Sequence, residues 1–217
     1  MAVAAVVFDL DGVLLDSERT WNEVKREVTE EAGGRWRDEA PQRMMGMSSG
    51  EWSRYLHDEL GVPLAPAEID AAVVARVAER YRRRLPLLPG ADQAVERLAA
   101  RWPLGLASSS NRPIIDLALE ASGLGRLFRT SVSSEEVGRG KPAPDVYLAA
   151  ARRLGVAPGE AAAIEDSSNG ILAGRAAGMR VIAIPNPDYP PRPDALAAAD
   201  VVLDSLADLQ PEVVAGG

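Results

Sequence analysis

The chain has 217 residues, no cysteine, a single histidine and a formal net charge of −8 at neutral pH. That length holds one large domain, or a domain carrying a smaller insertion, with ample apolar core. Without cysteine, disulfides, thiolate nucleophiles, zinc–thiolate and iron–sulfur sites are excluded, and His57 alone cannot build a histidine metal cluster. With a pI near 4.8, the whole-molecule field repels nucleic acid and acidic membrane surfaces. The opening "MAVAAVVFDLDG" has no basic segment, only a short apolar run and two early aspartates, so it reads as neither a secretory signal nor a membrane span. The expectation is a soluble cytoplasmic protein with no nucleic-acid and no membrane partner; composition leaves the oligomeric state open.

The first element is an apolar strand, "VVFDLD", which ends on Asp9 and Asp11. Residues two apart on a strand point to the same face, so these carboxylates repel one another. A hard divalent cation offsets such repulsion, as does a shared proton; two solvated carboxylates in a turn built on Gly12 would also account for the pattern.

From Ser17 to about Pro86 the pattern becomes helical: Trp21, Val24 and Val28, then Trp52, Tyr55 and Leu56, then Ile69, Val73, Val77 and Tyr81. No strand-like alternation occurs there. Trp21, Trp36 and Trp52 read as core, His57 as a surface or half-buried helix residue, and Arg82, Arg83 and Arg84 as a solvated helix end that suits the macrodipole.

Beyond Pro89, short β-rich runs ("PLGLASS", "RTSVSS", "AAAIED", "RVIAIP", "DVVLD") alternate with helical ones, which predicts βαβ units around a parallel sheet. Gly123, Gly155 and Gly178 stand where helix C-termini need a left-handed residue. Ligands of such sheets bind beyond the carboxyl ends of the strands. There lie Asp9 and Asp11, then Ser108, Ser109, Ser110 and Asn111, then Glu165 and Asp166, with Lys141 in the loop "GRGKPAPD". Each has a structural reading too. The serine run can cap a helix, Lys141 can sit on the surface, and Glu165–Asp166 can complement a helix dipole. "GRGK" is not a P-loop, because Pro142 replaces the Ser/Thr and Glu135 stands at the first glycine position.

Taken in order, D-x-D-G-V-x-x-D-S, A-S-S-S, G-K-P-x-P-D and E-D-S-x-x-G resemble the haloacid dehalogenase superfamily, and within it the β-phosphoglucomutase-like phosphatases. The resemblance spans Asp9 to Gly170. It implies a Rossmann-like α/β core with a parallel sheet, residues 1–17 and 87–217, and an inserted all-helical cap domain, residues 18–86. It implies Asp9 as the nucleophile that forms an aspartyl-phosphate, Asp11 as the acid and then the base, and Ser108 and Lys141 as holders of phosphoryl oxygens. Mg²⁺ is implied at Asp9, the Asp11 carbonyl and Asp166, with Glu165 nearby. Gly46 and its loop, with Ser109, Ser110, Asn111 and Arg112, are expected to face the leaving group of a small phosphorylated metabolite such as a sugar phosphate.

Two departures separate this chain from the mutases it resembles. The segment "SERTWNEV" lacks their hinge histidine, and Met45 and Ser49 stand where they carry a basic residue and an arginine. The expectation is therefore a Mg²⁺-dependent phosphomonoester hydrolase. The alternatives are a hexose-phosphate mutase, with Arg43 or the Arg82–Arg84 run as substitute grip, and a non-catalytic binding module.

Overall fold

The structure, a computed structural model, describes residues 2–45 and 47–216. Six strands form one sheet: β1 (Ala5–Phe8), β2 (Leu104–Ser108), β3 (Phe128–Ser133), β4 (Ala161–Glu165), β5 (Arg180–Ala183) and β6 (Val201–Val202). Their spatial order is β3-β2-β1-β4-β5-β6, and every neighbouring pair is parallel. The order reverses between β1 and β4, which makes their carboxyl ends the topological switch point where α/β sheets bind ligands.

The strands are apolar on both faces because helices cover both. Val6, Phe8, Leu104, Leu106, Ala162 and Ile164 pack with α5 (Ala91–Ala99), α6 (Arg112–Ser122) and α10 (Pro211–Ala215). The alternate residues Val7, Ala107, Ala161 and Ala163 pack with α7 (Asp145–Leu154) and α8 (Ser168–Ala176). Between β5 and β6 lies only the short α9 (Pro193–Leu196). Gly123 and Gly155 end α6 and α7 at φ of 69° and 75°, the left-handed conformation expected of them.

Between β1 and α5 the chain forms α1 (Glu18–Glu31), α2 (Ala40–Met44), α3 (Ser49–Asp58) and α4 (Pro66–Arg83). Their buried stripes are the expected ones: Trp21, Val24 and Val28 on α1, Ile69, Val73, Val77 and Tyr81 on α4. Ser48 N–H donates to the Glu51 carboxylate at 2.7 Å to start α3, and Pro66 starts α4. His57, half-buried, has its Nδ1 2.9 Å from the Val62 and Leu64 carbonyls and ties α3 to the loop that follows. The two segments joining this insertion to the sheet run side by side: Asp16 N–H donates to the Pro86 carbonyl at 2.8 Å and Leu88 N–H to the Leu14 carbonyl at 2.9 Å. Among the described residues no helix is long and apolar enough to cross a membrane.

Candidate active site

The ends of β1 and β4 bring three carboxylates together. Asp9, Glu165 and Asp166 each place an oxygen within 4.8 Å of the others, and all three are buried. Lys141 reaches into the group, its Nζ 2.8 Å from Asp9 Oδ1 and 2.6 Å from Glu165 Oε1. Tyr147, on α7, donates its hydroxyl to the same Glu165 oxygen at 2.7 Å. Glu165 Oε2 accepts from the backbone N–H of Asp166 and of Ser167 and from the Ser167 hydroxyl, at 3.1–3.3 Å. Both Glu165 oxygens thus accept hydrogen bonds, and Oε1 holds Lys141. Asp166 Oδ1, by contrast, is buried with no hydrogen-bond partner.

So many buried carboxylates cannot all stay ionised without added positive charge. Burial pushes the Asp9 carboxyl up to about 8; Lys141 opposes this, while Glu165 and Asp11 add to it. Burial, then Glu165 and Asp9, hold Asp166 well above the usual carboxylate range. Burial would lower Lys141, but Asp9 and Glu165 outweigh it and keep the ammonium charged. A hard divalent cation fits this donor set: Asp9 and Asp166 offer carboxylate oxygens, one of them orphaned, and a cation would restore the ionisation that burial opposes. Asp11's carboxylate lies outside that triplet.

Two glycines make the arrangement possible. Gly12 adopts φ of 84°, and a Cβ there would stand 1.9 Å from Asp166 Oδ2. A Cβ on Gly170, in the first turn of α8, would stand 1.8 Å from Glu165 Oε1. Each carboxylate lies against a backbone from which a side chain is missing.

The end of β2 holds Asp11. Ser110 Oγ donates to Asp11 Oδ2 at 2.6 Å, Ser108 Oγ lies 3.4 Å from the same oxygen, and Ser110 N–H donates to Ser108 Oγ at 2.9 Å. The other oxygen, Asp11 Oδ1, is buried without a partner. Ser109 lines the cleft with Ser110. Asn111 lines it too, but its side chain bridges insertion and sheet: Oδ1 accepts from Ser49 Oγ at 3.0 Å, and Nδ2 donates to Glu135 at 2.7 Å and to both oxygens of Asp70 at 3.2 and 3.3 Å. Gly46 lies outside the described residues.

The cleft above Asp9 encloses a cavity of about 90 Å³, walled on the far side by Trp21, Asn22, Lys25 and Trp52. Lys25 is buried with its ammonium 5.5 Å from the Trp21 ring and 5.1 Å from the Trp52 ring. Two such cation–π contacts are worth about 0.5–2 kcal/mol each. Trp21 and Trp52, expected as plain core, are core residues that also face the cleft. Arg112 does not face it: its guanidinium is taken by Glu136, Asp116 and Ser131. Arg43 stacks 5.3 Å from the Tyr55 ring and does not line the cleft either.

Asp9, Asp11, Ser109, Ser110, Asn111, Lys141 and Asp166 therefore meet in one cleft, with Ser108 and Glu165 directly behind it. Tyr147, Gly170, Lys25 and the Asn111 bridge were not foreseen. Only Gly170 had a signal, as the closing glycine of E-D-S-x-x-G.

The family model of haloacid dehalogenase-like hydrolases matches residues 3–178. The chain belongs to that family. It is similar to the Drosophila melanogaster "Probable pseudouridine-5'-phosphatase", 35% identical with 97% of this chain and 93% of that protein covered. It is also similar to hexitol phosphatase B of Escherichia coli K12, 35% identical with 95% and 94% covered. The crystal structure of CbbY from Rhodobacter sphaeroides in complex with phosphate matches with a TM-score of 0.85 at 30% identity, over 95% of this chain and 96% of that one. This protein is a hydrolase, and the two curated relatives above, matched over 93% and 94% of their length, are named as phosphatases.

Proposed function

We propose that the protein is a Mg²⁺-dependent phosphatase that hydrolyses a small phosphomonoester, a sugar phosphate or related metabolite, in the cytoplasm through an aspartyl-phosphate on Asp9. Residues 1–17 and 87–217 act as the catalytic core and residues 18–86 as a cap over it. The observation that carries this reading is the convergence at the β1/β4 switch point of Asp9, Lys141 and Asp166, with Asp11 held apart by Ser110, just beyond β2.

In the first step an Asp9 oxygen bonds to phosphorus as the bond to the leaving oxygen breaks, and Asp11 delivers its proton to that oxygen. In the second, water bonds to phosphorus, the bond to Asp9 breaks, and Asp11 takes the water's proton. Ser110 fixes the orientation of Asp11 for both transfers. Lys141, locked by Glu165, keeps a charged donor beside Asp9 where negative charge spreads over the phosphoryl oxygens. Asp9 and Asp166, with the Asp11 carbonyl, would hold the cation, which would supply positive charge against those oxygens and keep Asp9 ionised.

A mutase must grip a second phosphate and exclude water. The arginines offered for that grip point elsewhere: Arg43 stacks on Tyr55, and Arg82, Arg83 and Arg84 are exposed. The relatives named as phosphatases favour hydrolysis. Incubation with β-glucose 1-phosphate, Mg²⁺ and a trace of the 1,6-bisphosphate, beside p-nitrophenyl phosphate and a panel of sugar phosphates, separates the readings. Free phosphate should dominate throughout; isomer accumulating far faster than phosphate would overturn the phosphatase reading.

A further inference from the structure

The cap wall of the cleft carries a charge that the phosphoryl chemistry does not use. Lys25 is 7% exposed, and among the described residues its ammonium makes no hydrogen bond and has no carboxylate within ion-pair distance. Glu18 and Asp11 act on it only at longer range. One helical turn away and also lining the cleft, Asn22 keeps its Nδ2 buried with no partner. Two indole faces stabilise the cation but accept none of its N–H bonds. A buried cation and a buried amide donor, on two residues that line one cavity, are left wanting an acceptor.

We propose that Lys25 and Asn22 form a recognition subsite for an anionic group on the leaving portion of the substrate, a carboxylate or a second phosphate, at the end away from the scissile phosphorus. An oxyanion suits the site better than a hydroxyl. It accepts from several N–H groups at once and neutralises a charge that the fold leaves unpaired. Held against the Trp21 and Trp52 rings on the cap side of the cleft, Lys25 is a specificity residue and not part of the phosphoryl machinery. This inference rests on the phosphatase reading above.

The test is a matched three-carbon set: 3-hydroxypropyl phosphate, the phosphate ester of 3-hydroxypropanoate, and propane-1,3-diol bisphosphate. The wild-type protein should show a kcat/KM about 10- to 100-fold higher for an anionic ester than for the neutral one, in line with a charge-assisted hydrogen bond. Whichever anionic ester is preferred identifies carboxylate or phosphate as the ligand. Lys25→Met should bring the ratio close to unity and Lys25→Arg should keep part of it; Lys25→Gln serves if the Met variant fails to fold. Binding is read separately by tryptophan emission in the Asp9→Asn protein, where the anionic ester should shift the spectrum and the added Lys25→Met change should abolish the shift. A wild-type preference for the neutral ester, or a ratio and spectral shift unchanged by Lys25→Met, would overturn the subsite. Absence of phosphate release from any ester would count against the phosphatase reading alone, because the emission measurement still decides the subsite.

Discussion

Gly12 shows how one missing atom organises the site. Its φ of 84° and the 1.9 Å approach to Asp166 mean that Gly12→Ala must move either the turn or the carboxylate. A displacement on that scale is expected to lower kcat about 100-fold and to raise the Mg²⁺ concentration needed for half activation. Steady-state phosphate release across a Mg²⁺ titration checks both, and unchanged kinetics would remove Asp166 from the metal site. Tyr147 offers a stability test: its hydroxyl, fully buried, donates to the buried Glu165 carboxylate. Tyr147→Phe should cost about 1.5–3 kcal/mol in urea unfolding, whereas a change within error would mean that Lys141 alone satisfies Glu165 Oε1. Asp9, Asp11, Ser108 and Asp166 were legible as cleft neighbours because each sits in a short contiguous motif at a strand end, and Lys141 because its motif opens α7. The Tyr147 donor to Glu165 and the Asn111 bridge were not, because their partners come from remote segments: Tyr147 lies 18 residues from Glu165, and Ser49 62 residues from Asn111.

Among the elements, strands and helices after Pro89 followed from the alternation of apolar runs with turn residues, since a strand buried on both faces has little choice but Val, Ile, Leu and Ala. The glycine stops were equally readable. At Gly155, φ of 75° with no neighbour near a would-be Cβ isolates the backbone effect. Gly155→Ala should therefore destabilise by about 1–2 kcal/mol, measured by thermal unfolding, with phosphate release unaffected at a temperature where the variant is folded. An unaltered melting temperature would show that α7 ends without help from this residue. The bridge from α3 and α4 to the sheet is a different matter. Asn111 separates the carboxylates of Asp70 and Glu135 while donating to both, and Asp70 is raised by burial, against Asn111, with Glu135 adding to the rise. Asn111→Ala leaves those like charges facing one another between the insertion and the sheet. Amide exchange in α3 should then quicken relative to α7; equal protection in both proteins would show that the bridge does not hold the helices down.

Across the whole molecule, a net charge of −8 coexists with a site that must take up an anion. Lys141 and Lys25 supply positive charge from the chain, but the cleft also holds Asp9, Asp11, Glu18 and Asp166. A divalent cation would neutralise that excess of negative charge. Chelation should abolish activity, Mg²⁺ should restore it, and Ca²⁺ should not, because its larger and looser coordination shell displaces the nucleophile from its in-line position. Full turnover after exhaustive chelation would contradict the metal role. The central claim remains the covalent bond to Asp9, and acid quenching during turnover followed by borohydride reduction tests it directly, since an acyl-phosphate is reduced to an alcohol while a free carboxylate is not. Peptide mass mapping should find homoserine at position 9 in the wild-type protein with substrate, and none without substrate or in Asp9→Asn. Rapid phosphate release with position 9 still aspartate, or homoserine at another carboxylate, would contradict the account.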